Sequence, residues 1–328
     1  MRKSLKKQTT KLFFVFPFLL LVVSLAVAND IKIIGHRGAA GLMPENTLSG
    51  FKKAIEIGVD AIELDVHLTS DNVVVVTHDY RLNTAITRDA KGDWLKEGPL
   101  IKNLTLAKVQ SYDVGKLNRS TKYATRYPKR KSVDGERIPT LRDVIKLVKG
   151  TNERTNLFIE PKTTPLKPEE SSSPEVLVSA IAKILEEERF THRVRIISFD
   201  WRSLRYIKKI MPRVPTAHVT IARENFDTIQ KKKRGPSPWM TGLDIDDFDS
   251  IPQAIKAAGG VCWVSNYKHA SGHGRAMTSK LVKEAHGLGL DVFVWMVNNK
   301  SDMKRMIKKG VDGIITDRPD VLRSIVKK

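Results

Sequence analysis

The chain has 328 residues, with 57 Lys and Arg against 36 Asp and Glu, a formal net charge of +21. At 41% hydrophobic and 28% charged it is globular in composition, which excludes a disordered or collagen-like chain. A single cysteine, Cys262, excludes an internal disulfide framework and a cysteine-built zinc site.

The first element in chain order is an address. Arg2, Lys3, Lys6, Lys7 and Lys11 stand with no acid before the apolar run Leu12–Ala26, and Ala26-Val27-Ala28 is a small-x-small site. Basic, apolar and small-residue regions in this order read as a signal peptide over residues 1–28, cleaved after Ala28. The alternative is an N-terminal membrane anchor, although Leu12–Ala28 is only 17 residues, at the short end for a bilayer span. Cleavage leaves residues 29–328 as one domain and takes the net charge from +21 to +16. The expected location is therefore periplasmic or secreted, with attraction to anionic envelope surfaces. Nucleic acid is not an expected partner, because no helix-turn-helix, zinc finger or stacking motif accompanies the charge.

Short apolar, β-branched runs then recur at Ile31–Ile34, Ala61–Val66, Leu157–Ile159, Val194–Ser198, Thr216–Thr220, Gly242–Ile245, Val261–Val264, Asp291–Val297 and Gly313–Thr316. Most are separated by helical spacing, as in Thr47–Ile57, Leu141–Val148, Pro174–Glu187, Trp201–Ile210, Ile251–Ala258 and Ser279–Leu288. Strand–helix alternation of this kind predicts an α/β fold, a (β/α)8 TIM barrel, with nine candidate strands for eight places. An open doubly wound sheet is the competing architecture, but no Gly-x-Gly-x-x-Gly follows the first strand.

The first strand ends in Gly35-His36-Arg37-Gly38, a proton-transfer group beside a fork of donors suited to phosphate oxygens. Pro44-Glu45-Asn46-Thr47 follows, with Asn46 or Thr47 as helix cap. On the second strand, Glu63 and Asp65 share a face because side chains alternate. Two adjacent carboxylates on an apolar strand are costly without a neutralising charge, and a hard divalent cation supplies it better than a salt bridge. Thr69-Ser70-Asp71-Asn72 reads as a turn, and Val73–Val76 as an antiparallel return, since four residues hold no crossover helix. Folding about Asp71 sets residue 63 against 79 and residue 65 against 77, which brings His78 beside the acids.

Residues 80–138 interrupt the rhythm with a basic, turn-rich stretch that includes Lys129-Arg130-Lys131, an insertion over the barrel mouth. Glu160 and Lys162 again share a strand face, offering a third carboxylate and a cation for a phosphoryl oxygen. Three carboxylates favour Ca²⁺ or Mg²⁺ over zinc. Trp295 is either an apolar platform for a small substrate or a core position.

Taken together, His36-Arg37-Gly38, Pro44-Glu45-Asn46-Thr47, Glu63-Leu64-Asp65-Val66, His78-Asp79, Glu160-Pro161-Lys162, Trp295 with Asn298, and Gly310–Asp317 resemble the glycerophosphodiester phosphodiesterase family over about residues 31–322. Those barrels are related to phosphatidylinositol-specific phospholipases C. The resemblance implies metal-dependent hydrolysis of a small glycerophosphodiester to an alcohol and sn-glycerol 3-phosphate. It implies His36 and His78 as the acid–base pair, without saying which is which, and Glu63, Asp65 and Glu160 as ligands of one divalent cation. Arg37 and Lys162 would bind the phosphate, and Glu45 would support the metal or the glycerol side. Pro161 and Met296 depart from the family's usual aliphatic residue and threonine. Two other readings stand beside this one: a lysophospholipase D-like enzyme, motivated by the basic mouth, and a non-catalytic periplasmic binding protein.

Overall fold

β-Branched side chains fit a pleated surface that is packed on both faces, and the apolar runs form strands accordingly. In chain order these are β1 (Lys32–Gly35), β2 (Ala61–Leu68), β3 (Val74–Val76), β4 (Asn156–Pro161), β5 (Val194–Ser198), β6 (Thr216–Thr220), β7 (Ala222–Arg223), β8 (Phe226–Asp227), β9 (Cys262–Asn266), β10 (Asp291–Trp295) and β11 (Gly313–Thr316). The computed structural model describes residues 31–151, 154–233, 235–272 and 274–326. The expected signal peptide, residues 1–28, lies outside them, and no helix among the described residues is long and apolar enough to cross a membrane.

Strands β1, β2, β4, β5, β6, β9, β10 and β11 run parallel, each beside the next. Because β1 pairs with both β2 and β11 (Ile34 with Ala61 and with Ile315), the sheet closes on itself as the expected (β/α)8 TIM barrel. Around it lie α1 (Leu48–Ile57), α2 (Leu106–Gln110), α3 (Leu141–Thr151), α4 (Pro174–Glu187), α5 (Trp201–Ile210), α6 (Ile251–Ala257), α7 (Ser279–Gly287), α8 (Lys300–Lys308) and α9 (Pro319–Ile325). The ninth candidate strand, Gly242–Ile245, is not one. Thr241 and Gly242 take φ of 58° and 89°, and Ile245–Asp247 coils into a 3-10 turn on the Asp244 cap. Consecutive positive φ values break extended geometry.

Alternation along the strands sorts the apolar residues into two cores. Ile34, Ala61, Phe158, Ile197, Val264 and Ile315 fill the lumen. The opposite parity, such as Ile33, Leu64, Ile159 and Ile314, packs outward against Phe51, Ile145, Ile181 and Leu204 of the helices. Strand β2 is buried at every position, as a parallel strand covered on both faces must be. Since all eight barrel strands point one way, their lumen-facing positions continue into a common rim at the carboxyl ends.

Antiparallel β3 lies outside β2 with Val66 opposite Val76 and Leu68 opposite Val74, the register expected from a fold about Asp71. The chain between β3 and α3 packs rather than wanders. Val75, Leu82, Ile101, Val109 and Ile138 form one small core, and Ala40, Ile86, Leu117, Ala124 and Tyr127 tie the segment to the loop after β1.

Candidate active site

At the end of β1, His36 keeps the lumen parity of Ile34, and the chain then turns sharply through Arg37 and Gly38 at φ of 49° and 88°. A Cβ at Gly38 would meet the Gly50 backbone at 2.8 Å, so this position accepts only glycine without a shift. The turn aims the Arg37 amide at Glu63, donating to Oε2 at 2.9 Å. The His36 ring is fixed by its other neighbour, with Nδ1 2.6 Å from Asp317 Oδ1. A carboxylate only accepts, so Nδ1 carries the proton and Nε2, 3.9 Å from Glu63 Oε2, is left toward the cavity. Asp317 is itself held by Asn298, whose Nδ2 donates to Oδ2 at 2.6 Å. Burial disfavours the imidazolium, but Asp317 and Glu63 outweigh burial and Arg37 and raise the His36 pKa above its ordinary value.

Parallel register supplies the acid cluster. Glu63 and Asp65 stand two apart on β2, and Asp65 is the direct β4 neighbour of Glu160. All three are buried, and each offers an oxygen such that the three lie within 4.8 Å of one another. Asp65 accepts from Asn46 Nδ2 at 3.0 Å and faces Arg37 Nε at 3.4 Å and Lys162 Nζ at 3.5 Å. Lys162 donates to Glu160 Oε1 at 2.8 Å. Burial would raise Asp65, but His78, Lys162 and Arg37 hold it well below the carboxylate range. Glu63 goes the other way, pushed up to about 8 by burial and by the Asp65 charge. A carboxyl kept protonated near neutral pH lacks positive charge, and an all-oxygen donor set this tight fits a hard divalent cation.

His78, at the end of the hairpin, is about a third exposed, with Nδ1 2.7 Å from Asp79 Oδ1, and Asn83 Nδ2 holds Asp79 at 2.8 Å. Glu45 is turned toward cations. Its Oε1 accepts from Arg37 Nη1 at 2.7 Å, and its Oε2 meets Arg130 Nη1 at 2.8 Å and the Tyr123 hydroxyl at 2.6 Å. Burial would raise Glu45, yet Arg130 and Arg37 hold it far below its ordinary value. Arg130 and Tyr123 come from the insertion, so this buried network fastens the insertion to Arg37.

His36, Arg37, Glu63, Asp65, His78 and Glu160 all line one pocket of about 70 Å³, with Trp295 and Phe199 as apolar wall. A wider cleft of about 690 Å³ adjoins it and shares His78, Glu160, Phe199 and Trp295. Nine residues singled out from the sequence thus stand at one rim: eight line these spaces or reach them, and Glu45 stands behind Arg37. Sequence reasoning assigned no site role to Asp317, Asp79, Tyr123 or Arg130, and it took Asn46 only as a helix-cap candidate, whereas Thr47 caps the helix and Asn46 holds Asp65. For Asp317 a signal existed, since it continues the lumen parity of Ile315 on the strand beside β1.

Two histidines beside three buried carboxylates that could hold a hard cation, at the carboxyl mouth of a TIM barrel, fit a hydrolase acting on phosphate esters. Comparison with known proteins narrows the class. Residues 36–321 match the glycerophosphoryl diester phosphodiesterase family, and the chain belongs to it as a phosphoric diester hydrolase. It is 32% identical to a glycerophosphodiester phosphodiesterase of Caldanaerobacter subterraneus over 296 residues, 90% of this chain and 98% of that one. A Silicibacter pomeroyi protein provisionally named for the same activity superposes with a TM-score of 0.80 at 34% identity, covering 91% of this chain and 93% of that one. An Oleispira antarctica phosphodiesterase solved with the product sn-glycerol-3-phosphate shares the fold, with a TM-score of 0.66 at 20% identity over 90% of this chain and 97% of that one.

Proposed function

We propose that this phosphodiesterase hydrolyses glycerophosphodiesters to an alcohol and sn-glycerol 3-phosphate, with His36 as general base and His78 as general acid. Glu63, Asp65 and Glu160 hold one divalent cation, Ca²⁺ or Mg²⁺. When bound, that cation neutralises phosphoryl charge as a Lewis acid. The carrying observation is the convergence of both imidazoles and all three carboxylates on one small pocket.

The substrate is an anion that repels nucleophiles, and Arg37 and Lys162 present donors to its non-bridging oxygens. His36 suits the base because Asp317 fixes its tautomer with Nε2 toward the pocket and stabilises the imidazolium that forms. It takes the proton of the attacking hydroxyl as the new P–O bond forms; where that hydroxyl is the neighbouring glycerol one, the cyclic phosphate formed is opened by water in a second step to give glycerol 3-phosphate. His78, at the junction with the wide cleft, gives its proton to the alkoxide as the P–O bond to the alcohol breaks. Each proton transfer contributes about 10²–10⁴-fold. The amino-terminal segment supports export, with Asn29 as the first residue of the mature protein and envelope surfaces as its surroundings.

Release of glycerol 3-phosphate from glycerophosphocholine, followed with chelator and with each cation restored, tests the reading. His36→Ala and His78→Ala should fold normally and lose at least about a hundredfold in kcat. Full turnover in chelator, or undiminished turnover by both variants, sinks it.

A further inference from the structure

The wide cleft beside the pocket has a charge pattern that the hydrolytic chemistry does not use. Its walls are aromatic: Phe199 stacks edge-on against both Trp295 and Phe226 at 5.4 Å, and Phe226 against Trp239 at 5.7 Å. Its rim carries Arg126 from the insertion, Arg223 from the β7–β8 hairpin and Lys268 from the loop after β9. Every carboxylate lining the cleft is engaged: Asp79 with His78, Glu160 with Lys162, Glu170 with Lys167 at 3.4 Å and Asp200 with Arg202 at 2.6 Å. The three rim cations have no carboxylate within 4 Å among the described residues. Arg126 and Lys268 instead lie over the rings of Tyr123 and Tyr267, at 5.5 and 5.4 Å. Three exposed cations from separate elements, converging on one cleft with no carboxylate partner, favour an anionic ligand there.

The cleft is also where the leaving group must go. His36 lines only the small pocket, whereas His78, the proposed proton donor to the alkoxide, lines both spaces. We propose that this cleft is the alcohol subsite and that it selects diesters whose alcohol half is itself anionic, carrying a second phosphate. The inference rests on the hydrolase reading above and adds the substrate class. A cationic alcohol such as choline meets repulsion at the same rim.

Three soluble diesters and a lysophospholipid test it at saturating cation: the diesters are glycerophosphocholine, a glycerophosphodiester of glycerol, and the same compound with a second phosphate on the alcohol glycerol. At low salt, kcat/KM for the bisphosphorylated substrate should exceed that for the glycerol diester roughly tenfold, since each unpaired charge near the rim is worth about two- to threefold. The ratio should shrink toward one as salt screens the rim. It should also collapse in the Arg126→Ala/Arg223→Ala/Lys268→Ala variant and survive in Arg223→Lys with Lys268→Arg. A ratio near one at low salt, or preference for the choline diester, overturns the anionic subsite while leaving the hydrolase intact. Best turnover of a lysophospholipid overturns it in favour of an acyl chain on the aromatic wall. Hydrolysis of none of them overturns the hydrolase reading and this inference with it.

Discussion

On the proposed one-cation reading, binding at the carboxylate cluster should be pH-dependent, and the burial of Glu63 beside Asp65 sets the sign. Glu63 is pushed up to about 8 by burial and by its Asp65 neighbour. Its raised pKa means that the cation-free protein keeps this carboxyl protonated at neutral pH, whereas a ligand oxygen must be deprotonated. Proton and cation therefore compete. The apparent Kd rises by a factor of one plus ten to the power of pKa minus pH, so binding weakens about tenfold between pH 9 and pH 7 and about tenfold again by pH 6. Calorimetric titration of chelator-stripped protein with Ca²⁺ or Mg²⁺, repeated in buffers of different ionisation enthalpy, reads both quantities. About one proton should leave per ion bound at pH 7, falling toward none above pH 9, and Glu63→Gln should remove the dependence together with most of the affinity. A Kd that is flat from pH 6 to 9, with no proton release, would refute the account of Glu63.

Asp317→Asn removes the charge that raises His36, so the acidic limb of the pH–kcat/KM profile should move to lower pH while kcat falls about a hundredfold or more through loss of the ring's fixed tautomer. An unmoved limb would show that Asp317 does not set the base. Glu45→Gln leaves the buried Arg37 and Arg130 guanidiniums short of a counter-charge, and urea unfolding should report a loss of about 3–5 kcal/mol. An unchanged midpoint would contradict the network described. Gly38→Ala forces a Cβ to 2.8 Å from the Gly50 backbone at a φ of 88°, for a cost of about 1–3 kcal/mol and a fall in activity as the Arg37 amide leaves Glu63. A variant with wild-type stability and rate would mean that the turn relaxes freely.

Strand parity and parallel register explain why so much of the site is legible in the sequence. Alternation alone puts Glu63 with Asp65 and Glu160 with Lys162, and a four-residue turn compels the antiparallel return that delivers Thr77 to within 3.0 Å of the Asp65 carbonyl. Those relations are local, two to twelve residues apart, and geometry carries them without knowledge of the rest of the fold. Closure of the barrel is different in kind. The contact of His36 with Asp317 spans 281 residues and exists only because the last strand pairs with the first. Once a closed barrel is assumed, however, the same parity rule carries Ile315 to Asp317, so this orienting carboxylate was within reach of the sequence.

The insertion marks where local rules end. Lys129-Arg130-Lys131 reads only as part of a basic, turn-rich stretch over the barrel mouth, and its middle member is almost fully buried, bonded to Glu45 and to the Ala40 carbonyl at 2.6 Å and stacked on Tyr127. Nothing in a three-residue charge run says which cation turns inward, because that is decided by a buried acid about 85 positions earlier in the chain. The resemblance set Glu45 toward the metal or glycerol, and the structure sets its oxygens on Arg37, Arg130 and Tyr123. A carboxylate with two buried guanidinium partners is satisfied where it stands, and its bearing on the pocket passes through Arg37. The false strand at Gly242–Ile245 fails for a related reason. A β-branched end is a preference for a pleated, packed surface, and a segment entered through positive φ values at Thr241 and Gly242, among a cluster of aspartates, has no neighbouring strand to supply one.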